Sequence, residues 1–156
     1  MTSRLLAARI TGRSVAAAIY YGRDLHYTEV RQLASDIDQA TSSLVAFLSS
    51  LIQHFHIDSA TVEESTDDFR AGAMTVEMID LLREKGISCW TVEQSAILEA
   101  YGEVPLKSIR ELRGVVSNYW PRVIDEQESR TCLDAAALGL YFQTERMLSN
   151  HSSATP

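Results

Sequence analysis

Apolar residues in the first third of the chain fall in short runs broken by turn formers. Leu5-Leu6-Ala7-Ala8 leads to Thr11-Gly12-Arg13. Val15 to Tyr21 forms a second run, and Gly22-Arg23-Asp24 separates it from Leu25-His26-Tyr27-Thr28-Glu29-Val30-Arg31. Short turns between β-prone runs predict a three-stranded antiparallel meander. The period then changes from two to that of a helix. Ser35 with Asp38 three residues on resembles a capping box, and Ile37, Ala40, Leu44, Leu48, Leu51 and Phe55 follow at helical spacing, predicting a helix to about His54.

Ser59 to Glu64 reads as a fourth strand. The next helix, capped by Asp67 or Asp68, is expected to bury the line Phe69, Ala73, Val76, Ile79 and Leu82, and Lys85-Gly86 stops it. Ile87 to Val92 reads as a fifth strand. Two later helices carry Ile109, Leu112, Val116 and Tyr119, and then Leu133, Ala136, Ala137, Leu140, Thr144 and Met147. The order predicts an α/β fold: a five-stranded mixed sheet, three antiparallel strands then two parallel, with helices on both faces. Residues 1–148 read as one domain and 149–156 as a small polar tail.

Length and composition agree with this picture and add little chemistry. The chain has 156 residues, 46% of them hydrophobic, enough for one self-sufficient core. No stretch approaches the ~20 apolar residues of a membrane span, and the start lacks the apolar centre of a secretory leader. Two cysteines, Cys89 and Cys132, make no disulfide framework, and a reducing, cytoplasmic setting suits them.

Charge is more informative. The formal net charge is −7, against a domain held to nucleic acid by bulk charge alone. The sign is unevenly spread. Asp58 to Glu99 contains ten acids and three bases, whereas Glu103 to Arg122 contains Lys107, Arg110, Arg113 and Arg122 against two acids. Lys107, Arg110 and Arg113 are spaced by three and share one helix side. Such a stripe is a solvated face or a row of phosphate contacts.

Carboxylates from elements distant in sequence are what a magnesium site requires, because Mg²⁺ takes hard oxygen ligands, and two such ions can clamp a phosphodiester. The candidates are Glu63 or Glu64 on the fourth strand, which point to opposite faces, and Asp134 near the start of the last helix. Asp134 is equally explained as a first-turn acid facing the helix dipole.

These features together resemble the RuvC-type Holliday-junction resolvases of the ribonuclease H-like superfamily. The resemblance rests on three hairpin strands, a strand ending Thr61-Val62-Glu63, and a last helix beginning Leu133-Asp134-Ala135-Ala136-Ala137-Leu138. It also rests on the segment Gln94 to Gly102 leading to Lys107. It implies a metal-dependent nuclease using Mg²⁺, with Glu63 and Asp134 as ligands, a nucleic-acid face at Lys107, Arg110 and Arg113, structured DNA or RNA as partner, and a homodimer.

The chain departs from that pattern at its centre. The family's first strand ends in an Asp before a glycine-containing turn, and that Asp is the central metal ligand. Here the position is Ile10 or, shifted by one, Arg9. A further acid of the last helix is replaced by Thr131. The Arg9 guanidinium can instead reach Glu63 or Asp134 and hold the buried acid as an ion pair. The expected function is therefore a catalytically impaired relative that binds nucleic acid or a protein partner. The alternatives are an active endonuclease, with Glu64, Asp67 or Asp68 as substitute acid, and an oligomerising scaffold.

Other candidates carry less. His54 and His56, two apart on a helix, point away from each other and do not ligate one ion together. Thr11-Gly12-Arg13 lacks the upstream acid that a phosphate-cradling turn of the sugar-kinase type uses. Tyr101, Trp90, Tyr119 and Trp120 are core aromatics or base-stacking rings. Cys89 and Cys132 read as small apolar residues.

Overall fold

A computed structural model describes residues 3–11, 13–64, 69–93, 95–97 and 135–143. Strands β1 (Arg4–Ile10), β2 (Ser14–Tyr21) and β3 (Asp24–Gln32) form the antiparallel meander. Helix α1 (Ile37–Phe55), strand β4 (Ser59–Glu64), helix α2 (Phe69–Glu84) and strand β5 (Ser88–Glu93) follow. The sheet order is β3-β2-β1-β4-β5. β1 pairs antiparallel with β2 and parallel with β4, which pairs parallel with β5.

Alternation along β1 and β4 divides two apolar cores. Leu6, Ala8 and Ile10 on β1, with Ala60 and Val62 on β4, face α1 and α2 and join Leu44, Phe47, Leu48, Met74, Met78 and Leu82. Leu5 and Ala7, with Ala16, Ala18 and Tyr20 of β2, face the other way and pack on Ile97, Ala135, Ala136, Ala137, Leu138 and Phe142. Helical backbone thus covers both sheet faces, α1 and α2 on one and residues 95–97 and 135–143 on the other.

Alanines on both sides of the second core let segment 135–143 lie close to the sheet. Tyr20 is fully buried there, and its hydroxyl donates to the Ala136 carbonyl at 2.5 Å. Gly139 sits against the Tyr20 ring so closely that a Cβ would overlap it. The glycine is required by space rather than by backbone conformation.

Two local expectations are corrected. Helix α1 is capped by Asp36, whose Oδ2 accepts from the Gln39 amide at 3.0 Å, rather than by Ser35. The helix ends at Phe55, next to the expected His54, and closes on a left-handed His56 (φ 54°). The second correction concerns α2. The buried line is Ala71, Met74, Thr75, Met78 and Leu82, while Phe69 is 90% exposed and Val76 56% exposed. Two apolar stripes run along this helix, and only contact with the sheet decides which is inside. Asp67, Asp68, Tyr101, Trp120, Cys132 and the helix through Ile109 and Tyr119 lie outside the described residues.

Candidate functional site

The site is built from the C-terminal ends of two adjacent parallel strands. In the β1–β4 register, Ala7 lies beside Thr61 and Ala8 beside Val62, so one step further places Arg9 level with Glu63. Parallel neighbours at equivalent positions point to the same sheet face. Arg9 and Glu63 therefore both project to the side covered by segment 135–143, and Ile10 projects the opposite way into the core beneath α1 and α2. Of the two residues that could stand at the end of the first strand, Arg9 faces the site.

Arg9 Nε donates to Glu63 Oε2 in a charge-assisted hydrogen bond. Both residues are buried, at 9% and 3% exposure. Their flanks are small or apolar. Ala16 pairs with Arg9 on β2, and Val92 pairs with Glu63 on β5. Two residues back on β4, Thr61 is fully buried on the same face, and its hydroxyl has no hydrogen-bond partner among the described residues. Trp90 of β5, half exposed, tilts against Phe142 with ring centroids 5.1 Å apart. Glu64, the alternative acid, is exposed on the other side of the strand. It lies level with Glu93 of β5.

Among the described residues, no group of three or more histidines, cysteines or acids is gathered closely enough to hold a metal ion. His54 and His56 make no shared site: His54 packs edge-on against Phe55, and His56 closes the helix. Asp134, Thr131, Lys107, Arg110, Arg113 and Arg122 lie outside the described residues.

Comparison with known proteins bears on the fold. No protein-family model and no curated protein matches the sequence. Solved structures do match. Thermus thermophilus RuvC aligns with a TM-score of 0.71 at 13% identity, covering 92% of this chain and 96% of that one. The same protein in complex with a Holliday junction substrate aligns at 0.75 and 12% identity, covering 93% and 96%. The yeast mitochondrial Holliday junction resolvase Ydc2 aligns at 0.65 and 11% identity, covering 90% and 79%.

The chain has the RuvC-like, ribonuclease H-like fold. At these identities the likeness is one of backbone. Within this RuvC-like sheet, the ends of β1 and β4 carry a guanidinium and a carboxylate side by side. No helix among the described residues is long and apolar enough to cross a membrane.

Residues that sequence reasoning passed over support this face. Tyr20 and Gly139 set how closely segment 135–143 approaches β2. A glycine inside an alanine-rich helical run was the available signal, because glycine weakens a helix unless close packing requires it.

Proposed function

We propose that this chain is a RuvC-like protein whose metal centre has given way to an internal ion pair. It binds structured nucleic acid and is impaired in cutting it. The observation that supports this reading is the buried Arg9–Glu63 pair at the ends of β1 and β4.

The described residues do not fit a divalent cation. In surroundings of effective dielectric about 20, a divalent ion and a unit charge 4 Å apart interact by roughly 8 kcal/mol. A guanidinium and a carboxylate at similar range from such an ion cancel, so the pair presents no net attraction to it. Magnesium gives up its water reluctantly and needs anionic oxygen to do so. Arg9 also engages Oε2 of Glu63, one of the two carboxylate oxygens that could serve an ion.

Nucleic-acid binding is supported by the local sign of charge. The basic stretch from Lys107 to Arg122 stands apart from the acidic middle of the chain, and one of the similar structures, Thermus thermophilus RuvC, is a complex with a Holliday junction substrate. A homodimer, on the resemblance alone, and a reducing, cytoplasmic setting, on two cysteines that make no disulfide framework, complete the reading.

A fluorescent four-way junction and a linear duplex, each incubated with the full chain over a range of salt, test the proposal. Affinity should fall with salt, and log K against log salt should lose about one unit of slope for each of Lys107, Arg110 and Arg113 neutralised. Neither substrate should be cut efficiently in Mg²⁺ or Mn²⁺. Efficient cleavage at stoichiometric enzyme reinstates the active endonuclease. Binding that ignores salt, or no binding, overturns the nucleic-acid reading in favour of a protein partner or scaffold.

A further inference from the structure

Helix α2 carries a second apolar stripe that the fold does not use. Its buried side is Ala71, Met74, Met78 and Leu82. Phe69, Ala73 and Val76 recur at i, i+4 and i+7 on the opposite side, and Phe69 is almost wholly in water. A helix of a globular domain normally shows one apolar stripe and a polar outer face. Beside the exposed stripe runs a groove of about 440 Å³ between α1 and α2, lined by Ile37, Asp38, Ala73, Met74 and Glu77 among others. Ile37 is itself 45% exposed.

Acids border this surface. Asp38 and Glu77 stand on its two walls. Asp80 and Glu84 continue the outer side of α2 beyond Val76 and are exposed. The nearest base on α2, Arg70, is engaged with the carbonyls of Ala34 and Ser35, the latter at 2.7 Å. The surface therefore joins an exposed apolar stripe to a groove whose walls mix Ile37, Ala73 and Met74 with the polar Thr41 and Ser42, and the carboxylates of Asp38 and Glu77 give that groove an anionic border.

We propose that the α1–α2 groove docks an amphipathic helix of a partner protein, one that presents an apolar face flanked by lysine or arginine. Charge complementarity selects this occupant. A second copy of this chain would bring its own Asp38 and Glu77 against the same pair, and like charges juxtaposed at an interface are costly. A helix lying in a groove between two helices uses apolar anchors at i, i+3, i+4 and i+7, the spacing that Phe69, Ala73 and Val76 present in return. The groove lies on the sheet face opposite Arg9 and Glu63, so this inference is independent of the nucleic-acid reading.

Two synthetic helical peptides with the same leucine face, one flanked by lysines and one by glutamates, provide the probe, read by fluorescence anisotropy against the full chain. The lysine peptide should bind at least tenfold more tightly than the glutamate peptide. Phe69→Ser with Val76→Ser should abolish binding while leaving the melting temperature nearly unchanged, because both side chains are already exposed. Asp38→Asn with Glu77→Gln should keep binding but erase the preference. Equal affinity for both peptides, no binding of either, or binding that survives the serine pair overturns the proposal. Sedimentation velocity supplies the remaining outcome: a dimer that the serine pair dissociates makes a second copy the occupant and also overturns it.

Discussion

Changing Arg9 to alanine removes one partner of a buried ion pair and leaves Glu63, 3% exposed, in an interior lined by Ala16 and Val92. Breaking such a pair from one side costs about 3–5 kcal/mol, because the remaining carboxylate keeps its desolvation cost and loses the guanidinium that offset it. For a chain of this size each kcal/mol moves the melting temperature by about 2–4 °C, so a fall of roughly 6–20 °C is expected. Urea unfolding followed by circular dichroism measures the free energy, and calorimetry the melting temperature. Replacing both partners with apolar residues, Arg9→Met with Glu63→Leu, should cost less than Arg9→Ala alone, since neither charge of the pair is then left behind in the interior. The difference between single and double changes gives the coupling energy. A loss below about 1 kcal/mol for Arg9→Ala, the range of solvent-exposed pairs, would refute the reasoning. In the unmodified protein, millimolar Mg²⁺ should leave the melting temperature unmoved, whereas a clear rise would mean that the pair opens to admit the ion.

Three further outcomes follow from other residues. Thr61→Val keeps the shape and removes a buried hydroxyl that lacks a partner among the described residues, so urea unfolding should show a gain of about 1 kcal/mol. Gly139→Ala should destabilise by about 1–3 kcal/mol, because the added methyl meets the Tyr20 ring, and the same change should cost less when made in a Tyr20→Leu background. Burial pushes the Cys89 thiol above its usual range, opposed in lesser part by Arg83. In a Cys132→Ser background, iodoacetamide should label Cys89 more slowly at pH 8–9 than it labels an unfolded peptide. The folded state holds the proton more tightly, so this contribution to stability is present below the ordinary thiol range and is lost as pH rises through the elevated value.

Much of this protein is written in period and punctuation. The meander was legible because apolar runs separated by Gly22 and its neighbours leave only short turns between strands. The β4 bounds were legible because Ser59 to Glu64 is short, β-prone and flanked by polar residues. Helix α1 was legible because one line of apolar side chains dominates it. Each of these depends on local spacing, which a chain carries with it before it folds.

Tertiary structure decided what local spacing leaves degenerate. α2 bears two stripes at helical period, and only the position of the sheet determined that Met74 and Met78 go inside while Phe69 and Val76 face water. At the end of β1, Arg9 and Ile10 are adjacent in sequence and equivalent in composition arguments. Strand register with β4 is what places Arg9 beside Glu63 and Ile10 in the opposite core, because alternation sends neighbouring residues to opposite faces. Sequence named the residues that meet at this edge of the sheet; parallel pairing of strands separated by a whole helix chose which of them touch.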